Sequence, residues 1–157
     1  MKNIEKLKKI INSAGSGMLV TLGTKPMARP MQVVKDDDLY NIRFLTVLQS
    51  NKVKEIQKNE NVFLTFSDHS SHSYASVEGE AEVILDRNHI EKYYSKIFDP
   101  FFTEGIDTSG LCLISIQINH AECWYNDKNF ILEAIEFAKG FPNGTKAKLN
   151  ERFAVNL

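Results

Sequence analysis

The segment LCLISIQI, residues 111–118, is largely apolar on both of its faces. Successive side chains of a strand point to opposite sides. Leu111 and Leu113 therefore share one face, and Cys112, Ile114, Ile116 and Ile118 share the other. Such a strand does not suit an open sheet with one wet face. It fits a barrel strand that has an interior on one side and, on the other, a cover made by a helix or a second subunit.

The rest of the chain supplies the other staves. Apolar or β-prone segments at 18–22, 26–34 and 39–46, with turn residues at 23–26 and 35–38, predict an antiparallel meander. The second connection is tight, so 26–34 and 39–46 are expected to pair. Val62, Leu64 and Phe66 alternate along a further strand. A long strand follows at 73–85, and Gly79 inside it marks a bend of the kind barrel corners need. Segments 111–118 and 121–125 are read as two more strands, and the tail as a short edge strand.

Helices are expected at 2–13, where Ile4, Leu7, Ile10 and Ile11 make one face with lysines opposite, and at 50–58 with Ser50 as N-cap. Another begins at the cap Asp86 and carries Ile90, Tyr93, Tyr94 and Ile97 as its stripe. The last covers about 128–139, followed by an FPNG turn. Residues 98–110 are irregular. The fold class is mainly β with peripheral α, in one domain over 1–157.

Composition removes several alternatives. The formal net charge of −1 gives no general attraction to nucleic acid or an anionic membrane. No apolar run reaches the roughly 20 residues of a membrane span. The first ten residues lack a signal-peptide apolar core. Cys112 and Cys123 have no CxxC spacing, so they read as core residues or, less simply, a reactive thiol, in a reducing cytoplasm. His69 and His72 stand three apart in SDHSSHSY beside Asp68. Without a helical frame they read as solvated loop residues, not a metal site.

The chemically pointed stretch is FLTVLQSNKVKEI, residues 44–56. It passes from strand to helix and puts Lys52 and Lys54 in the first helical turn. Cations are unfavourable there, because that end already carries partial positive charge. A bound anion would relieve the crowding, using the free backbone N–H groups, Lys52, Ser50 and Thr46. Solvated, snorkelling lysines are the plain alternative. Arg29, on the neighbouring strand, adds a planar fork suited to two phosphate oxygens.

ARPM, FLTVLQSNKVKEI, NVFLTF, YASVEGEAEVILD and FFTEGIDTSGLCLISIQINHAECWY, in that order over about residues 4–130, resemble the pyridoxamine 5'-phosphate oxidase-like FMN-binding split barrels, and within them the general stress protein 26 group. The resemblance implies a six-stranded antiparallel split barrel, paired as a homodimer with FMN in clefts between the subunits. It implies that Arg29, Ser50 and Lys52 hold the FMN phosphate with Thr46 close by, that Pro30 and Met31 belong to the same binding segment, and that Phe44 and Leu45 present backbone to the flavin. Asn51 falls where related oxidases carry a second basic residue, which weakens the grip. Tyr74 falls where oxidases often have a glutamine near the flavin ring. Trp124 matches a tryptophan offered across the interface, or else packs the core or the dimer.

The chain departs from the group at 101–103, Phe-Phe-Thr for Trp-Phe-Pro, and at 107–109, Asp-Thr-Ser for Asp-Asp-Pro. That loop is expected to border the cleft. The substrate-holding stretch of true pyridoxamine phosphate oxidases is missing. The function expected is a flavin oxidoreductase with a nicotinamide or small-molecule redox partner, or a non-catalytic flavin buffer or sensor; haem or a deazaflavin in the same cleft is a third option.

Overall fold

A computed structural model describes residues 1–127 and 151–157. The helix expected near 128–139 and the FPNG turn lie outside the described residues. In chain order the elements are α1 (Asn3–Ala14), β1 (Ser16–Leu22), β2 (Pro26–Gln32), β3 (Asn41–Val47), α2 (Asn51–Lys58), β4 (Asn61–Asp68), β5 (Ser73–Ile84), α3 (Arg87–Tyr93), two short 3-10 turns (Lys96–Phe101 and Gly105–Asp107), β6 (Leu111–Tyr125) and β7 (Glu151–Asn156).

The strands form one antiparallel sheet in the order β2-β1-β4-β5-β6-β3, with β7 also on β6. The end strands β2 and β3 do not pair; just past β2, Val33 makes an isolated antiparallel bridge with Phe44 of β3. Beside it the Val34 N–H donates to the Arg43 carbonyl at 2.9 Å. The sheet is therefore a split barrel.

This corrects the expected hairpin between 26–34 and 39–46. All of β2 is taken by β1, and β3 is taken by β6. The intervening residues are also not a simple polar turn. Asp36 turns inward, pairing with Lys8 at 2.7 Å and Arg43 at 2.8 Å. Asp38 pairs with Arg43 at 2.6 Å, and the Arg43 guanidinium stacks on Tyr93. Lys8 and Arg43 are both buried, so these carboxylates neutralise cations the fold has taken out of water. Not every lysine of α1 faces solvent, as its amphipathic pattern suggested.

The both-sides-apolar strand behaves as its pattern demands. Cys112, Ile114, Ile116 and Ile118 join the main core with Leu7, Ile10 and Ile11 of α1, and with Leu19, Leu64 and Val77 of the sheet. Leu111 and Leu113 face a second core with Val34, Leu45, Ile90, Phe98 and Phe102. The cover is thus the chain's own α3 and 3-10 layer, and this face does not by itself call for a second subunit. Because α3 stops at Tyr93, Ile97 does not continue the buried stripe and is 60% exposed. Asp86 caps α3 as expected, accepting from the His89 N–H.

Segments 111–118 and 121–125 are one strand, not two. The register against β5 passes from Gly79–Ile118 to Glu78–His120, so Asn119 is an extra, bulged residue. At that bulge the neighbour on the other edge of β6 changes from β3 to β7. A Cβ on Gly79 would collide with the Gln117 carbonyl oxygen and the Ile116 side chain, so the bend needs glycine.

Candidate ligand-binding cleft

Where β2 and β3 fail to pair, the barrel opens. A cleft of about 400 Å³ lies there, walled by Pro30, Met31 and Gln32 of β2 and by Leu45, Thr46 and Val47 of β3. Phe98, Phe101, Phe102, Thr103 and Thr108 close another side, and Lys52 of α2 lines it too. The loop around 101–109 thus borders this cleft.

The strand-to-helix turn places Lys52. Ser50 occupies the N-cap position of α2 with extended backbone, but its hydroxyl caps no N–H. Instead Thr46 Oγ1 lies 3.5 Å from Ser50 Oγ and accepts from Lys52 Nζ at 3.1 Å. Burial, and then the nearby Arg29 charge, pull the Lys52 pKa below that of a free lysine. An anion beside Nζ would reverse that shift.

Arg29 is close enough to Lys52 to be felt electrostatically, and it is not loose. Its Nη2 pairs with Glu55 Oε2 at 2.9 Å and its Nη1 donates to Thr21 Oγ1 at 3.0 Å. The Thr21 hydroxyl in turn donates to the same Glu55 oxygen. Thr21 and Glu55 were not singled out in the sequence. The available signal was an acid three residues after Lys52, one helical turn along the same face.

The other expected residues divide. Thr46, Ser50 and Lys52 come together, with Arg29 within electrostatic reach of Lys52; Thr46 and Lys52 line the cleft with Pro30, Met31 and Leu45, whereas Arg29 and Ser50 lie behind that lining. The Phe44 side chain is fully buried in the main core, which leaves only its backbone for a ligand. Asn51 points elsewhere: it lines a second cleft of about 390 Å³ with Lys25, Lys54 and Lys58. Tyr74 and Trp124 sit opposite each other across β5 and β6 and line none of the cleft of their own chain. Tyr74 is 38% exposed, and Arg152 of β7 stacks on the Trp124 ring.

Cys112 pairs in register with Thr46, but its side chain is in the core. Burial pushes its thiol up to about 11, and Cys123 up to about 12. Both are protonated packing residues. Among the described residues there is no cluster of three metal-ligating side chains, and no helix is long and apolar enough to cross a membrane.

Comparison with known proteins gives a consistent relationship. The family model of pyridoxamine 5'-phosphate oxidase-like proteins matches residues 2–148. Protein bli-3 of Neurospora crassa is 23% identical over 119 residues, 71% of this chain and 57% of the relative, so the chain spans little more than half of that relative's length. The structure of a general stress protein 26 from Jannaschia sp. CCS1 superposes with a TM-score of 0.84 at 21% identity, over 98% of this chain and 97% of the other. A general stress FMN/FAD binding protein from Xanthomonas citri gives a TM-score of 0.70 at 21% identity, over 91% and 94%.

Proposed function

The chain belongs to the pyridoxamine 5'-phosphate oxidase-like family, and on that premise we propose that it binds FMN in the cleft between β2 and β3 and works as a flavin oxidoreductase. The observation that carries this is the cleft's uneven chemistry. Three phenylalanines, Pro30, Met31 and Leu45 offer an apolar wall, while Lys52 supplies a half-buried cation. A planar ring with an anionic tail matches both ends. The FMN/FAD binding of the Xanthomonas citri protein supports a flavin as that ligand.

Arg29, Ser50 and Lys52, with Thr46, would hold the phosphate, and the backbone of Phe44 and Leu45 would face the ring. Asn51 would add little, since it lines the other cleft. Bound FMN would supply hydride and single-electron transfer; the protein would orient the ring and limit water. Among the described residues that line the cleft, Lys52 is the titratable one. The missing substrate-holding stretch argues against true pyridoxamine phosphate oxidation.

We take the working form to be a cytoplasmic homodimer. Tyr74 and Trp124 lie away from their own cleft, on a sheet face that also exposes Met18 and Phe63. A second copy on that face would bring them to its flavin. Light scattering at micromolar concentration tests this, and a stable monomer would count against it. The second reading is a flavin buffer or sensor without turnover. Anaerobic addition of NADH or NADPH to the FMN complex separates the two. Rapid bleaching with turnover indicates an oxidoreductase. Tight binding without reduction by either nucleotide indicates the carrier.

A further inference from the structure

We propose that Glu55, acting through Thr21, is the positioning residue that fixes the Arg29 guanidinium for an incoming phosphate. This rests on the flavin-phosphate reading of the site. Three hydrogen bonds close a ring: Arg29 Nη1 to Thr21 Oγ1 at 3.0 Å, the Thr21 hydroxyl to Glu55 Oε2, and Arg29 Nη2 back to Glu55 Oε2 at 2.9 Å. The three residues come from β1, β2 and α2, so the ring locks the guanidinium to both the sheet and the helix that bears Lys52.

The ring is built into the fold. Thr21 is fully buried, so its hydroxyl is out of water's reach, and the Met27 carbonyl oxygen at 3.5 Å is a longer alternative acceptor to Glu55. Gly23 passes so close to Glu55 that a Cβ there would stand 3.3 Å from Glu55 Cγ, which limits where the acid's stem can go. The Thr21 and Arg29 bonds hold the Glu55 pKa below the ordinary carboxylate value, so it is ionised at neutral pH.

The bonding leaves Arg29 able to work. A guanidinium has five N–H donors. Two are used by the ring, and three remain for phosphate oxygens. Without the acid, the repulsion between Arg29 and Lys52 would lose the Glu55 charge that offsets it, and the freed Arg29 side chain would swing away from Lys52. Ligand binding would then have to order it again, which lowers affinity. Glu55 thus trades a local negative charge for a fixed fork.

The test is a double-mutant cycle read by the affinities for FMN and riboflavin, which differ only in the phosphate. Glu55→Ala should weaken FMN by about tenfold, the scale of one charge-assisted hydrogen bond, and leave riboflavin within about twofold. Glu55→Gln, which keeps an acceptor for both partners, should stay near the wild type. In an Arg29→Ala background, Glu55→Ala should have no further effect on FMN, a coupling that a purely structural acid would not give. If Glu55→Ala does not fold, Thr21→Val, which cuts the ring at its buried corner, should give the same FMN-specific loss. An FMN preference in the wild type that survives Glu55→Ala or Thr21→Val, or rises, overturns the proposal alone. A wild type with no preference for FMN over riboflavin overturns it together with the phosphate reading.

Discussion

Lys52 Nζ donates to Thr46 Oγ1 across 3.1 Å, joining the first turn of α2 to the end of β3. The contact draws the ammonium into the cleft, where burial and Arg29 lower its pKa. The apo protein should therefore gain stability as this lysine deprotonates. Between that lowered value and 10.5 the unfolded chain binds more protons, so raising the pH through this window adds stability. FMN affinity should move the other way. The phosphate is essentially dianionic above about pH 7, so loss of the Lys52 proton removes attraction. FMN titrations from neutral to alkaline pH should weaken before free lysine would titrate, and Lys52→Arg should flatten the profile. A flat wild-type profile would detach Lys52 from the phosphate.

Acid should unfold the protein through two carboxylates. Burial raises the pKa of Asp38, but bonds from Arg43, the Tyr40 N–H and Asn41 outweigh it and bring it to about 2. Asp68 is likewise raised by burial and held at about 2 by Ser70, Ser71 and Ser13. Both folded values are depressed from 3.8, so their stabilisation is fully present above that value and is lost as pH falls through about 2. Each contributes up to about 2 kcal/mol. Urea midpoints measured down this range should fall steeply, and Asp38→Asn should flatten the fall.

Asp36 is a counter-ion shared by buried Lys8 and Arg43, and Arg43 keeps Asp38 besides. Removing one partner of a buried pair leaves an uncompensated charge, at a cost of about 3 kcal/mol. Asp36→Ala should therefore lower unfolding free energy by about that amount. A loss below about 1 kcal/mol would mean that water reaches Lys8.

The barrel was legible where periodicity was strong. The division of 111–118 into two faces, the cap at Asp86 and the bend at Gly79 all follow from local pattern. The pairing of 26–34 with 39–46 was misread because short connections usually join neighbours. Here Asp36 and Asp38 are drawn in by Lys8 and Arg43, cations distant in sequence or hidden in a strand. That misreading concealed the cleft itself, which exists because those strands part. Arg29 and Lys52 were readable as a basic pair. The ring of Thr21 and Glu55 was not, since it depends on three elements meeting at one point.

In the reading proposed above, Lys52 and Arg29 grip the phosphate end of a flavin. Fluorescence titration of the purified protein with FMN and with riboflavin tests it most directly, repeated on Lys52→Ala and Arg29→Ala. Charge-assisted bonds to phosphate contribute roughly 1.5–3 kcal/mol each. The wild type should prefer FMN clearly, and either substitution should cut that preference about tenfold or more while riboflavin affinity stays nearly constant. Equal affinities for FMN and riboflavin in the wild type, or a preference untouched by both substitutions, would contradict it.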